Sequence, residues 1–338
     1  MRAVIFAFTQ RGKATALRVR SAMGGDEVCL RAPEKLADER FDAYKGALPD
    51  YTGTVFDSDA LVFVGAAGIA VRAIAPHTAS KRTDPAVLCL DEAGRFVIPL
   101  LSGHIGGANR LSRQIAGALD ATPVITTATD VNGRFSVDAW AVERGMVITS
   151  MPLAKRISAA ILTGDVPFFS DAMKPERLAE GLTWADSGPL GVCVSIRDIQ
   201  PFEQTLLLVP RVLCLGIGCR RGTSAEAIRA AVTRVLSENR LRSEAVAGAS
   251  SVDLKADEAG LLEACAQCGW PVTFYTAEAL SAVSGHFTPS AFVKSVVGVD
   301  NVCERAAAAS GGSIIVPKTA FNGVTVAVAE LKWGIDFG

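Results

Sequence analysis

A short apolar run, a glycine- or hydroxyl-rich loop and a stretch of helical spacing recur as a unit along this chain, and that alternation constrains its fold more than any other feature. It predicts a multi-domain α/β protein with mostly parallel sheets, helices on their faces and glycine-rich loops at strand C-termini. The 338 residues suit two or three domains. The pattern divides them into an N-terminal α/β domain over 1–130, a less patterned central region over 131–209 and a C-terminal α/β domain over 210–338, with Pro210-Arg211 at the second boundary.

The first unit reads as a strand over Arg2–Phe8, a helix over Ala14–Met23 and a strand over Glu27–Leu30. Ala60–Val64 is a second buried strand, ending in Gly65-Ala66-Ala67-Gly68 and a short helix closed by Pro76. Ala86–Leu90 and Arg95–Leu100 flank Asp91-Glu92-Ala93-Gly94, a hairpin signal. The second glycine-rich segment, Ser102 to Asn109, opens a helix, and Pro123–Thr127 is predicted as another strand. In the last third, Val212–Leu215 is a strand, Gly216–Gly222 a loop, and Thr223 or Ser224 caps a long helix.

Composition narrows the function classes. A formal net charge of −1 gives no overall field toward nucleic acid or a membrane surface. The apolar run Ala3–Phe8 is too short for a signal-peptide core, and no stretch approaches the roughly 18–20 apolar residues of a membrane span. A cytoplasmic location is therefore expected, with the 8 cysteines as thiols. Cys265 and Cys268 form a C-x-x-C that no second such pair matches, and its helical spacing argues for small core residues; no structural metal site is expected.

Glycine loops at strand ends let a backbone approach a ligand, and the helix behind each offers free N–H groups. Candidate ligand contacts are Gly65, Gly68, Gly103, Gly106, Gly107, Asn109 and Gly218. None of these loops has the Walker A pattern, and Gly216-Ile217-Gly218-Cys219-Arg220-Arg221-Gly222 is only close to a dinucleotide fingerprint. A phosphate- or nucleotide-using transferase is the alternative these loops leave open. His104, one of 3 histidines, lies among glycines and can move protons near neutrality. Ser102, Thr126, Thr127 and Thr129 add hydroxyls for orienting a substrate or an oxyanion. Arg72, Lys81, Arg220, Arg221, Lys255 and Lys318 can grip carboxylates, and Asp84 lies near Lys81.

Several ordered segments carry a resemblance. Phe63 to Pro76, Lys81-Arg82-Thr83-Asp84-Pro85-Ala86-Val87, Ile98 to Asn109 and Val124 to Asp130 are similar to the signature of the cobalt-precorrin-5A hydrolase family, as are Leu215 to Thr223, Ala249 to Lys255 and the stretch around Lys318 to Gly323. Residues 131–209 match loosely. The resemblance implies an enzyme of anaerobic cobalamin (vitamin B12) biosynthesis. Its substrate is a cobalt-containing tetrapyrrole bearing a ring A δ-lactone. The lactone is opened with water, the C20 two-carbon fragment leaves as acetaldehyde, and cobalt-precorrin-5B remains. Cobalt then arrives within the substrate and no separate cofactor is implied; neighbouring pathway enzymes are the implied protein partners. On this reading His104 or Asp84 is the base, with Ser102, Thr127 or the amides after Gly103 or Gly65 near the oxyanion. A non-catalytic carrier of corrinoid intermediates is the other reading the resemblance leaves.

Overall fold

The computed structural model describes residues 1–24, 27–80, 83–172, 174–289 and 301–337. The chain divides into two compact units, Met1–Trp140 and Ala141–Gly338.

The first unit is built on a seven-stranded sheet in the order β3-β2-β1-β4-β5-β6-β7. Its strands are β1 (Ala3–Ala7), β2 (Val28–Ala32), β3 (Asp42–Ala43), β4 (Ala60–Val64), β5 (Ala86–Leu90), β6 (Phe96–Leu101) and β7 (Thr122–Pro123). Every residue of β1, β4 and β5 is buried, which is why these strands read as unbroken apolar runs: a parallel sheet is covered on both faces. Helices α1 (Gln10–Met23) and α4 (Ala108–Leu119) cover one face with Ala16, Val19, Met23, Leu111, Ile115 and Leu119. On the other face, α2 (Leu48–Thr54) and α3 (Ala67–Ile74) accompany a cluster of Phe6, Phe63, Ala70, Ala73 and Ile74. Phe6 and Phe63 stack with centroids 4.8 Å apart. Each fully buried Phe or Leu contributes about 1.5–3 kcal/mol to that core. Helix α1 begins earlier than its apolar pattern does, because Thr9 Oγ1 accepts from Gly12 N at 2.9 Å and caps it.

The predicted strand over Pro123–Thr127 forms a ladder only at Thr122–Pro123. Pro123 has no N–H to extend pairing, and Thr127 instead begins a single helical turn, α5 (Ala128–Val131). Helix α6 (Val137–Glu143) follows.

In the second unit, β8 (Val147–Ile148), α7 (Met151–Ile161), β9 (Val166–Ser170), β10 (Leu182–Trp184), β11 (Gly191–Val194) and β12 (Thr205–Val209) form a five-stranded sheet ordered β10-β9-β11-β12-β8, with only β8 antiparallel. A further five-stranded sheet, β15-β14-β13-β17-β16, contains β13 (Leu213–Cys219), β14 (Val246–Val252), β15 (Val272–Tyr275), β16 (Ser313–Phe321) and β17 (Val324–Glu330). Its helices are α8 (Ala225–Glu238), α9 (Ala259–Cys268), α10 (Ala277–Ala282) and α11 (Val302–Ala308). Among the described residues no helix is long and apolar enough to cross a membrane.

The third glycine segment differs from its sequence reading: Gly216 and Gly218 lie inside β13, paired with Ala327 and Thr325 of β17. A Cβ on Gly216 would stand 1.8 Å from the Cys303 carbonyl oxygen, and one on Gly218 would stand 2.5 Å from Thr325 Oγ1. These glycines let α11 and a neighbouring side chain lie directly on the strand. Ser224 does cap α8, accepting from Ala227 N at 3.3 Å.

Candidate functional site

The direction of β6 decides which of the candidate residues come together. β4 and β5 run parallel, with Val64 beside Leu90, whereas β6 returns antiparallel with Leu101 beside Val87. The first two glycine loops do follow strand C-termini, Gly65 after β4 and Gly103 after β6. The reversal nevertheless sends Ser102–Gly107 to the edge where β5 begins, opposite the edge that carries Gly65. Gly65, Gly68 and Arg72 therefore do not join His104. Gly65 N donates to Leu90 O at 2.8 Å, and Arg72 Nη1 donates back to the Gly68 carbonyl at 3.1 Å. Lys81 lies outside the described residues.

The Ser102 loop is a tight reversal. Ser102 has φ +57° and Gly107 φ +81°, both left-handed. A Cβ on Gly106 would lie 2.4 Å from Ser102 Cβ, and one on Gly103 would lie 2.8 Å from Asn109 Oδ1. Backbone bonds from Ala108 N to Ser102 O and from Asn109 N to Gly103 O deliver the chain into α4. Because β7 runs parallel to β6, the segment after Pro123 ends beside the same loop. Thr127, Thr129 and Asp130 thus meet His104.

There His104 is held on both nitrogens. Nε2 lies 2.9 Å from Asp130 Oδ2 and Nδ1 lies 3.2 Å from Asp138 Oδ1. Thr129 Oγ1 is 3.4 Å from Nε2, and Ser136 Oγ is 3.2 Å from Nδ1 and donates to Asp138 Oδ1 at 3.0 Å. The imidazole pKa is raised to about 9 by its hydrogen bonds to Asp130 and then Asp138, against the opposing effect of burial. Asp130 also accepts from Asn109 Nδ2 at 3.0 Å, from Thr127 Oγ1 at 2.5 Å and from the Arg113 guanidinium. The His104 hydrogen bond leads in holding its carboxyl well below the usual range, with Thr127 and Arg113 adding to it and burial opposing. With both ring nitrogens facing carboxylates, His104 offers no free lone pair to a metal ion while these contacts persist.

The other proposed catalytic groups have partners of their own. Asp84 is buried, and its carboxylate accepts from the amides of Ala79 at 3.1 Å and Ser80 at 3.0 Å, so it closes the turn ahead of β5. Ser102 Oγ donates to the Asp84 carbonyl at 2.9 Å. Thr127 Oγ1 accepts from Asn109 Nδ2 at 2.9 Å as well as donating to Asp130. Thr126 is exposed. The residues that sequence reasoning missed are Asp130 and Asp138 as ring partners, together with Ser136, Arg113 and the exposed Arg110. Arg110 lines a pocket of about 400 Å³ with Gly106, Gly107, Ala60 and Ala86. Asp130 closes a hydroxyl run and was visible in that sense; Asp138 sits in an ordinary amphipathic helix and carries no local signal.

In the second unit the expected cations are spread over separate elements: Arg220 and Arg221 follow β13, Lys255 ends a short 3-10 turn after β14, and Lys318 lies in β16. Arg221 pairs with Asp257 at 3.0 Å and also donates to Leu254 O. Lys255 pairs with the buried Glu258 at 3.4 Å, and Glu258 accepts from Gly222 N. The buried Glu304 accepts from Lys318 N, and Arg220 is exposed beside Gly323.

Residues 51–130 match the family model described as Cobalamin synthesis G N-terminal, and residues 213–329 match Cobalamin synthesis G C-terminus. The chain is 35% identical to the cobalt-precorrin-5A hydrolase of Salmonella typhimurium over 338 residues, covering 95% of both proteins. It is 31% identical to that of Priestia megaterium over 324 residues, 88% of this chain and 85% of the relative. Protein CobE of a Sinorhizobium species is 32% identical over 121 residues, 35% of this chain and 79% of that protein.

Proposed function

Since the chain belongs to the cobalt-precorrin-5A hydrolase family of cobalamin biosynthesis, we propose that it opens the ring A δ-lactone of cobalt-precorrin-5A with water and releases C20 with its methyl group as acetaldehyde, giving cobalt-precorrin-5B. The observation that carries this reading to a site is His104 standing between Asp130 and Asp138 at the mouth of the Ser102–Gly107 loop.

Lactone opening needs a tetrahedral intermediate stabilised and a proton delivered to the departing C20 oxygen. Fragmentation then needs that hydroxyl proton removed as the carbonyl of acetaldehyde forms. The electron pair of the breaking carbon–carbon bond passes into the conjugated macrocycle, which takes up a proton. His104 is the group that handles these protons, and the amides after Gly103 face the developing oxyanion. Ser102, Thr127 and Asp84 support the loop and the carboxylate through the bonds described above. Arg110 beside Gly106 and Gly107 suits an acetate or propionate arm. Cobalt enters as part of the substrate, and hydrolysis draws on water alone.

Anaerobic incubation of the purified chain with cobalt-precorrin-5A tests the proposal. Acetaldehyde matched by loss of the two-carbon unit from the macrocycle supports it. Bound but unchanged substrate points to a carrier, and failure to bind returns attention to phosphate ligands.

A further inference from the structure

His104 faces a carboxylate from each side of its ring. Asp130 comes from α5 onto Nε2 at 2.9 Å, and Asp138 comes from α6 onto Nδ1 at 3.2 Å. A neutral imidazole has one N–H and one lone pair, so it can satisfy only one of them; against the other, its lone pair would meet a second lone pair. An imidazolium donates to both. Arg113 of α4 does not compete for the ring, because it lies on the other oxygen of Asp130. Burial also favours charge compensation here, since the side chains of Asp138 and Asp130 are 8% and 15% exposed.

We propose that Asp138, aided by Ser136, is a positioning residue that keeps His104 as an imidazolium, so that the ring enters the reaction as its acid and not as its base. The two nitrogens are unequal. The Nε2 bond to Asp130 is short and braced by Asn109, Thr127 and Arg113. The Nδ1 proton is shared between Asp138 Oδ1 and Ser136 Oγ at 3.2 Å each, which leaves it the easier one to hand over.

The step balances. Water adds to the lactone carbonyl, the acyl–oxygen bond breaks, and the C20 oxygen leaves with the Nδ1 proton. The now neutral imidazole takes the proton back from the C20 hydroxyl as acetaldehyde forms. The proton released by water is the one the macrocycle takes up with the electron pair. A ring pKa raised to about 9 agrees with a charged resting state.

This inference rests on the reaction proposed above, and its test separates the two. The chain has 3 histidines, His77, His104 and His286, so ¹³C-histidine labelling of the full protein gives few ring signals, and H104Q identifies the one that matters. That ring is expected to titrate with its midpoint near 9. Asp138→Asn is expected to lower the midpoint by at least tenfold in proton affinity, and Asp138→Glu to restore most of it. The His77 and His286 signals should stay in place, which shows that the variant is folded. Turnover should fall above the His104 midpoint, and this fall should move to lower pH in D138N. A midpoint near 6.5 in the native chain, or one that D138N leaves unmoved, overturns the positioning role. Turnover that rises through the midpoint makes His104 a base and overturns the acid role. No acetaldehyde at any pH overturns the acid role together with the reaction, while the titration still decides whether Asp138 holds the charge.

Discussion

Asn109 Nδ2 stands 3.0 Å from Asp130 Oδ2 and 2.9 Å from Thr127 Oγ1, so one buried amide joins the first turn of α4 to the carboxylate on His104 Nε2 and to the hydroxyl that supports that carboxylate. Asn109→Ala removes both bonds and leaves a small void. The expected loss is about 1–3 kcal/mol of stability and, if turnover depends on the ring's alignment, roughly tenfold in kcat. Thermal unfolding and acetaldehyde release measure the two separately; unchanged kcat would remove Asp130 alignment from the account.

Asp130→Asn replaces the carboxylate on Nε2 by an amide. Turnover should drop about 10²–10⁴-fold, and the His104 ring should titrate at lower pH than in the native chain. Single-turnover acetaldehyde release and the ring signal together check this. A variant with native kcat would mean that the Asp130 carboxylate has no part in the reaction.

The pH dependence of stability follows from opposite shifts. The folded pKa of His104 is raised, so its contribution is complete below the unfolded value of about 6.5 and is lost as pH rises through about 9. The folded pKa of Asp130 is lowered, so its contribution is present above the unfolded value of about 3.9 and is lost as pH falls. Chemical denaturation at pH 6, 8 and 10 should show H104Q losing less stability with rising pH than the native chain. Parallel curves would refute the assignment.

Asp84→Asn keeps a carbonyl acceptor for the Ala79 and Ser80 amides, whereas Asp84→Ala keeps none. D84A should cost about 1–3 kcal/mol and D84N less, with any activity loss following the loss of Tm. A native Tm with turnover reduced a thousandfold in D84N would place Asp84 in the chemistry.

Gly216→Ala drives a Cβ to within 1.8 Å of the Cys303 carbonyl, and backbone cannot yield as a flexible side chain can. A loss of more than about 3 kcal/mol or failure to fold is expected. Gly222→Ala, at φ +75° with nothing within 4 Å, should cost only about 1 kcal/mol. Similar denaturation midpoints for the two would contradict the packing explanation of Gly216.

The fold class was legible in the residue pattern because β1, β4 and β5 are buried on both faces and must be apolar throughout. The hairpin at Asp91–Gly94 was legible because turn chemistry is local, as was the cap at Ser224, whereas the cap at Thr9 was not, and α1 starts four residues before the predicted Ala14. Gly216 and Gly218 of the third segment read as loop residues but lie within β13, since a glycine that admits a helix against a strand looks the same in sequence as one in a loop. His104 was legible as a lone titratable group among glycines. Its partners were not: Asp130 lies 26 residues away and Asp138 lies beyond it, in a helix with no distinguishing pattern. Only the antiparallel return of β6 selects the sheet edge that receives Ser102–Gly107, separates it from Gly65 and places it against the segment after β7. That choice comes from strand pairing across the sheet, where the hydrogen bonds join residues far apart in the chain. Residue types alone therefore determine the layers and mark a titratable histidine among glycines, and tertiary pairing decides which carboxylates stand against its ring.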